Sequence, residues 1–136
     1  MVAFPGPFEP GYRLMDGDAL NRRTMSTQSV AAGTGGPPGP PVLSAQITEA
    51  TGTGNSVVLP VAQLGAAFTV VNNTAAALNV FASNTPNPAT GVADQVQLAQ
   101  DSTLSAFVPV AHFFIATFIC YRPGTWKTFY PGATQP

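Results

Sequence analysis

The chain reads as an all-β protein: a small antiparallel β-sandwich, jelly roll or barrel of about eight strands, preceded by an extended N-terminal arm. Three observations predict this. Short runs alternate apolar and polar side chains with the two-residue period of a strand. Clusters of Gly, Pro and Asn separate those runs. No long stretch keeps the period of an amphipathic helix. Pattern alone does not choose between sandwich, jelly roll and barrel.

Residues 1–41 read as an arm with a Pro/Gly linker, and residues 42–136 as a sandwich-like oligomerisation domain. Pro5, Pro7 and Pro10, with Gly6 and Gly11, oppose a helix at the start and favour an extended path. Phe4, Phe8, Tyr12 and Leu14 are spaced along that path, with Arg13, Arg22 and Arg23 among and after them. Apolar side chains on an extended arm need another surface to bury them. Residues 12–21 can hold one helical turn, with Asp18 as its cap. Residues 24–36 are small and polar, a linker by composition. Residues 36–41 are two Gly-Pro-Pro triplets, which favour polyproline II and a stiff spacer.

Strands are expected from there on. Residues 45–50 alternate, 51–55 form a turn cluster, and 56–60 make a short strand closed by Pro60. Residues 67–82 are expected as the central hairpin. Phe68 and Val70 point one way, Thr69 and Val71 the other, and Asn72-Asn73-Thr74 makes the turn. Residues 84–91 are a loop, and strands follow at 95–98 and 103–108. The run at 113–121 is a long apolar strand, the best candidate for a fully buried position. Arg122-Pro123-Gly124-Thr125 suits a type II turn, with glycine in the third place. Residues 126–130 return along it.

Composition bounds the function. The chain is 45% hydrophobic, enough to fill a core, yet only 8% charged, against about 25% in typical soluble domains. After position 41 the charges are Glu49, Asp94, Asp101, Arg122 and Lys127. Interface cores are depleted in charge, so much of this surface is expected to face other subunits. The alternative is a monomer covered by Ser, Thr, Asn and Gln. The net charge is −1 and Arg22-Arg23 is the one adjacent basic pair, which argues against nucleic-acid binding. A single cysteine, Cys120, makes no intrachain disulfide and is expected to pack as a small hydrophobe. The start lacks the pattern of a signal peptide, and no apolar run approaches the length of a membrane span. Synthesis in a cytoplasm without visible export is the expectation.

No motif carries chemistry. His112 has Asp101, Ser102 and Ser105 near in sequence, but no elbow or triad pattern surrounds them. Asp16, Asp18 and Asn21 fail the spacing of a calcium loop. There is no Cys/His cluster for zinc and no glycine loop for phosphate. Trp126, Phe129 and Tyr130 can stack on a sugar, though a tryptophan after a turn in a β module is more often core or interface. No catalytic residue, cofactor or metal is expected. An oligomer interface is expected on Phe113, Ile115, Phe118 and Trp126.

Residues 55–129 resemble a recurrent β module of bacteriophage virion proteins, found at tail-fibre and tailspike ends and in capsid decoration or head-fibre proteins. The matching features run in order: Val57-Val58-Leu59-Pro60, a link with Gly65, Phe68-Thr69-Val70-Val71-Asn72, Leu78-Asn79-Val80-Phe81, Gly91-Val92-Ala93, Leu98-Ala99, and Gly124-Thr125-Trp126 after a long apolar strand. The stretch Tyr12-Arg13-Leu14-Met15-Asp16-Gly17-Asp18 also resembles the opening of small phage structural proteins. The resemblance implies a non-enzymatic homotrimer on the virion surface. A capsid decoration (cement) or head-fibre role then has the arm anchoring the chain on the major capsid protein, through Phe4, Phe8, Tyr12, Arg13, Leu14, Arg22 and Arg23. The alternative is a tail or fibre-tip adaptor that binds a host receptor or glycan. Two features depart from the pattern. The stretch before the tryptophan is apolar instead of polar, and the module stands on a short chain instead of at the end of a long fibre.

Overall fold

In the computed structural model residues 25–98 and 102–129 are described, and every regular element among them is a strand. The strands are β1 (Thr27–Ala31), β2 (Ile47–Gly52), β3 (Ser56–Val58), β4 (Ala67–Thr74), β5 (Leu78–Phe81), β6 (Gln95–Gln97), β7 (Leu104–Ser105), β8 (Phe107–Val110), β9 (Ile115–Arg122) and β10 (Thr125–Phe129). Seven form one sheet in the order β1-β2-β4-β9-β10-β6-β7, and β3-β5-β8 form a second. Alternation along most strands buries one row of side chains, while all three residues of β3 are buried. Ala50, Val70, Ala116, Phe118, Cys120 and Trp126 come inward from the large sheet. Val57, Leu78, Val80, Val108 and Val110 come from the small one. The all-β class expected from the sequence is what the chain adopts.

Strand pairing is mixed instead of antiparallel. β1–β2, β2–β4, β3–β5 and β6–β10 are parallel, while β4–β9, β9–β10, β5–β8 and β6–β7 are antiparallel. A parallel pair needs a crossover. Here β3 supplies it, carrying the chain through the small sheet between β2 and β4.

The same logic corrects the central hairpin. β4 lies in the large sheet and β5 in the small one, so they face each other across the core and do not pair. Asn72, Asn73 and Thr74 are the last residues of β4, and the corner follows them. Asn72 is fully buried. Its Nδ2 donates to the Ala76 carbonyl at 2.8 Å and to that of Val110, in the small sheet, at 2.9 Å. Its Oδ1 accepts from the backbone N–H and the hydroxyl of Thr74. Two alternating runs joined by polar residues look alike whether they zip together or arch over a core.

Residues 25–41 also differ from expectation. Thr27–Ala31 is an edge strand paired along β2, so the boundary drawn at Val42 falls inside the folded body. Gln28 fixes it there: its Oε1 accepts from the backbone N–H groups of Ser44 and Ala45, both at 2.8 Å. The Gly33 carbonyl accepts from the N–H groups of Asn55 and Ser56. The chains approach so closely that a Cβ on Gly54 would overlap the Ala32 carbonyl, which a glycine alone avoids. The Gly-Pro-Pro segment is a turn, closed by Gly39 N–H to the Gly36 carbonyl, and not an extended spacer.

Residues 113–121 are not buried on both faces. β9 alternates, with Ala116, Phe118 and Cys120 inside and Ile115, Ile119 and Tyr121 outside. The turn into β10 has Gly124 at φ +73°, as a type II turn requires. Trp126 then enters the core, edge-on to Phe68 with ring centroids 5.7 Å apart. Its Nε1 finds no hydrogen-bond partner among the described residues. Trp126→Ala is expected to cost about 3–5 kcal/mol in urea unfolding, the usual loss for a buried large aromatic. Trp126→Phe should cost less, because the orphan donor leaves with the indole. Equal losses for the two variants would contradict this packing.

Candidate interaction surface

The outer face of the large sheet is the side that β9 turns away from the core. Register places Ile115, Thr117 and Ile119 of β9 beside Val71, Thr69 and Ala67 of β4. On the other side Lys127 and Phe129 of β10 pair with Ile119 and Thr117. Ile115, Ile119, Tyr121 and Phe129 are all exposed. Scattered exposed apolar side chains are ordinary, whereas a contiguous set marks an interaction site.

Polar groups on this face largely satisfy one another. The Thr69 and Thr117 hydroxyls lie 3.1 Å apart. Tyr121 donates its hydroxyl to Gln97 Oε1 at 2.8 Å. Glu49 accepts from Ser29 at 3.2 Å and from Asn73 Nδ2 at 2.7 Å. Lys127 Nζ donates to the Leu98 carbonyl at 2.8 Å, and the Arg122 guanidinium sits 5.3 Å from the Tyr121 ring centre. Among the described residues the charges on or beside this face are therefore Glu49 at one end and Lys127 with Arg122 at the other. Next to Lys127, a concavity of about 480 Å³ is walled by Gln97, Ile119, Tyr121 and Phe129.

The opposite end of β9 carries an exposed loop. His112 stacks on Phe113 with ring centroids 3.6 Å apart. Phe113 N–H donates to the Asn72 carbonyl, and Asn72 N–H donates to that of Phe114. The buried corner at Asn72 therefore also holds this loop.

Sequence reasoning placed an interface on Phe113, Ile115, Phe118 and Trp126. The structure divides that set. Phe113 and Ile115 are on the surface, but Phe118 and Trp126 are fully buried in the chain's own core and present nothing to a partner. Ile119, Tyr121 and Phe129 were missed. Their signal was the outward phase of alternation, hidden because both phases of this strand are apolar. Phe4, Phe8, Tyr12, Arg13, Leu14, Arg22 and Arg23 lie outside the described residues, as do Asp16, Asp18, Asn21, Asp101 and Tyr130.

Other polar clusters have structural roles. Buried Asp94 accepts from Ala62 N–H at 2.7 Å and from Asn87 Nδ2 at 2.8 Å, stapling two loops together. Among the described residues no three His, Cys, Asp or Glu side chains come together as a metal site. No helix among them is long and apolar enough to cross a membrane. Comparisons with protein-family models, curated proteins and solved structures find no match to this chain.

Cys120 donates its thiol to the Arg122 carbonyl at 3.2 Å. Burial pushes the thiol above its ordinary value, and the nearby Asp94 charge adds to the effect. The folded state thus holds the proton more tightly than the unfolded chain. Its contribution is complete below the ordinary thiol range and falls away as pH rises through and above it. The native protein is expected to resist maleimide at neutral pH and to react once unfolded. Its urea midpoint should drop at alkaline pH more steeply than that of Cys120→Ala. Parallel pH profiles for the two proteins would contradict the assignment.

Proposed function

We propose that this chain is a non-enzymatic structural protein of a bacteriophage virion, a capsid decoration (cement) or head-fibre protein. In this reading it assembles as a homotrimer and its N-terminal arm anchors it on the major capsid protein. The observation that carries the reading is the outer sheet face. It is apolar, built on rigid strands, and nearly free of charge among the described residues, as suits a surface covered by protein. The β-sandwich-like body agrees with the virion module that residues 55–129 resemble.

A second reading is a tail or fibre-tip adaptor that binds a host glycan. The exposed rings of Tyr121 and Phe129 beside the concavity favour it, since aromatic faces stack on sugars. The number of copies per purified particle separates the two. A lattice protein covers the whole capsid, whereas a tip protein is present in a few copies.

The arm is tested in the full chain. Fully burying one large apolar side chain contributes about 1.5–3 kcal/mol. Replacing Phe4, Phe8 and Tyr12 together by serine should weaken binding to purified phage particles by at least about 100-fold, with the melting temperature unchanged. Full decoration by this triple variant would place the capsid contact on the β body and sink the arm's role.

A further inference from the structure

We infer that Phe113 of one copy seats in the concavity beside Ile119, Tyr121 and Phe129 of a second copy. The inference rests on the reading that the chain self-associates, and it assigns the contact.

Phe113 is the described non-glycine residue with positive φ, at +68°. A bulky side chain is strained there, and such strain persists only where the surroundings impose it. The surroundings do so here. Two backbone hydrogen bonds of 2.9 Å, Phe113 N–H to Asn72 and Asn72 N–H to Phe114, clamp the loop to the end of β4. Yet the ring so positioned is 72% exposed, the most exposed large hydrophobic among the described residues. The fold thus spends strain to hold an aromatic ring out in water. A rigid aromatic loses little freedom on docking, which is the property of an interface anchor.

The receiving site is on the same molecule but out of reach. The nearest wall, Phe129, pairs with Thr117, four residues on from Phe113, and Ile119 is six residues on, so the walls lie about 13–20 Å along the strand, beyond the reach of a phenylalanine side chain. A Phe113 ring therefore cannot fill its own chain's concavity, whereas a neighbour's can. The walls suit a phenyl ring. Ile119, Tyr121 and Phe129 supply apolar surface, while two polar atoms at the rim, Gln97 Oε1 and Lys127 Nζ, have partners in the chain. Drying the site leaves those bonds in place.

Charge gives the contact its direction. Glu49 is bonded to Asn73, next to the residue that clamps Phe113, so it lies at the knob end. Lys127 and Arg122 lie at the hole end. Faces laid like end on like end bring equal charges together. Faces laid knob end on hole end set Glu49 against Lys127 and Arg122. Knob and hole are different surfaces, and every copy carries both. The contacts close reciprocally in a pair or around a ring.

Sedimentation of the full-length protein at micromolar concentration tests this. Wild type is expected to be oligomeric. Phe113→Gly removes the ring and relieves the strained φ, so it should be monomeric and still unfold cooperatively, with a melting temperature that no longer depends on protein concentration. Ile119→Arg fills the hole and should also be monomeric; Phe129→Glu replaces it if that variant does not fold. Each variant should weaken self-association at least about 100-fold, the scale of a lost anchor. Mixing the knob-less and hole-less variants leaves one intact knob and one intact hole, and should restore a complex of two chains. A monomeric wild type, a Phe113→Gly protein of wild-type mass, or a mixture of folded variants that stays monomeric would each overturn the inference. So would a saccharide that binds wild type and is lost on Ile119→Arg without any change in mass. A monomeric wild type that still coats particles would sink this contact but leave the anchoring reading. An oligomer that ignores particles would do the reverse.

Discussion

Asn72 is the constraint on which the rest of the structure depends. Buried at the end of a strand, it must satisfy two donors and an acceptor away from water, where each unmet group costs about 1–3 kcal/mol. It meets them by bonding to its own corner and to Val110 in the opposite sheet. Its backbone meanwhile is shared with the loop at 113–114. The side chain thus ties the end of the large sheet to the small one, and the backbone of the same residue sets how Phe113 is presented. Core and candidate surface are two sides of the same hydrogen-bond network.

Much of the fold was legible in the sequence because strand period is a local property. The alternation at 45–50 and 67–71, the apolar run at 56–60 closed by Pro60, the prolines at 84–91 and the Gly124 turn all told of short strands and their ends. Strand partnership was not legible. A residue's phase says which side it faces, not which strand lies beside it. The run at 67–82 therefore read as a hairpin when it is an arch. β1 was hidden for another reason. Its composition, Thr-Gln-Ser-Val-Ala, is that of a linker, and it is held as an edge strand by distant groups such as the backbone of Ser44 and Ala45.

The surface was half legible. Charge depletion pointed to a covered face, and the apolar run at 113–121 pointed to the strand. Which of its residues face outward depended on whether neighbours pack on one side or both. The large sheet has the small sheet on one face only, so alternate residues of β9 serve two purposes. Phe118 fills the core while Ile119 meets the outside. Sequence reasoning gave both duties to the same residues, which is why Phe118 and Trp126 were placed on the interface.

The crossover of β3 between β2 and β4 also bears on how the chain reaches this structure. β4 sits between β2, to which it is joined through the other sheet, and β9, whose Phe118 pairs with Phe68 across more than a third of the chain. Contacts between residues far apart in sequence slow folding, since loop entropy is lost before they form. The β9–β10 hairpin is local and can form early. The centre of the large sheet cannot. Until β9 has been synthesised, the edge of β4 that it pairs with has no partner strand. The apolar strand that supplies the outer face is thus also the one that closes the free edge of β4.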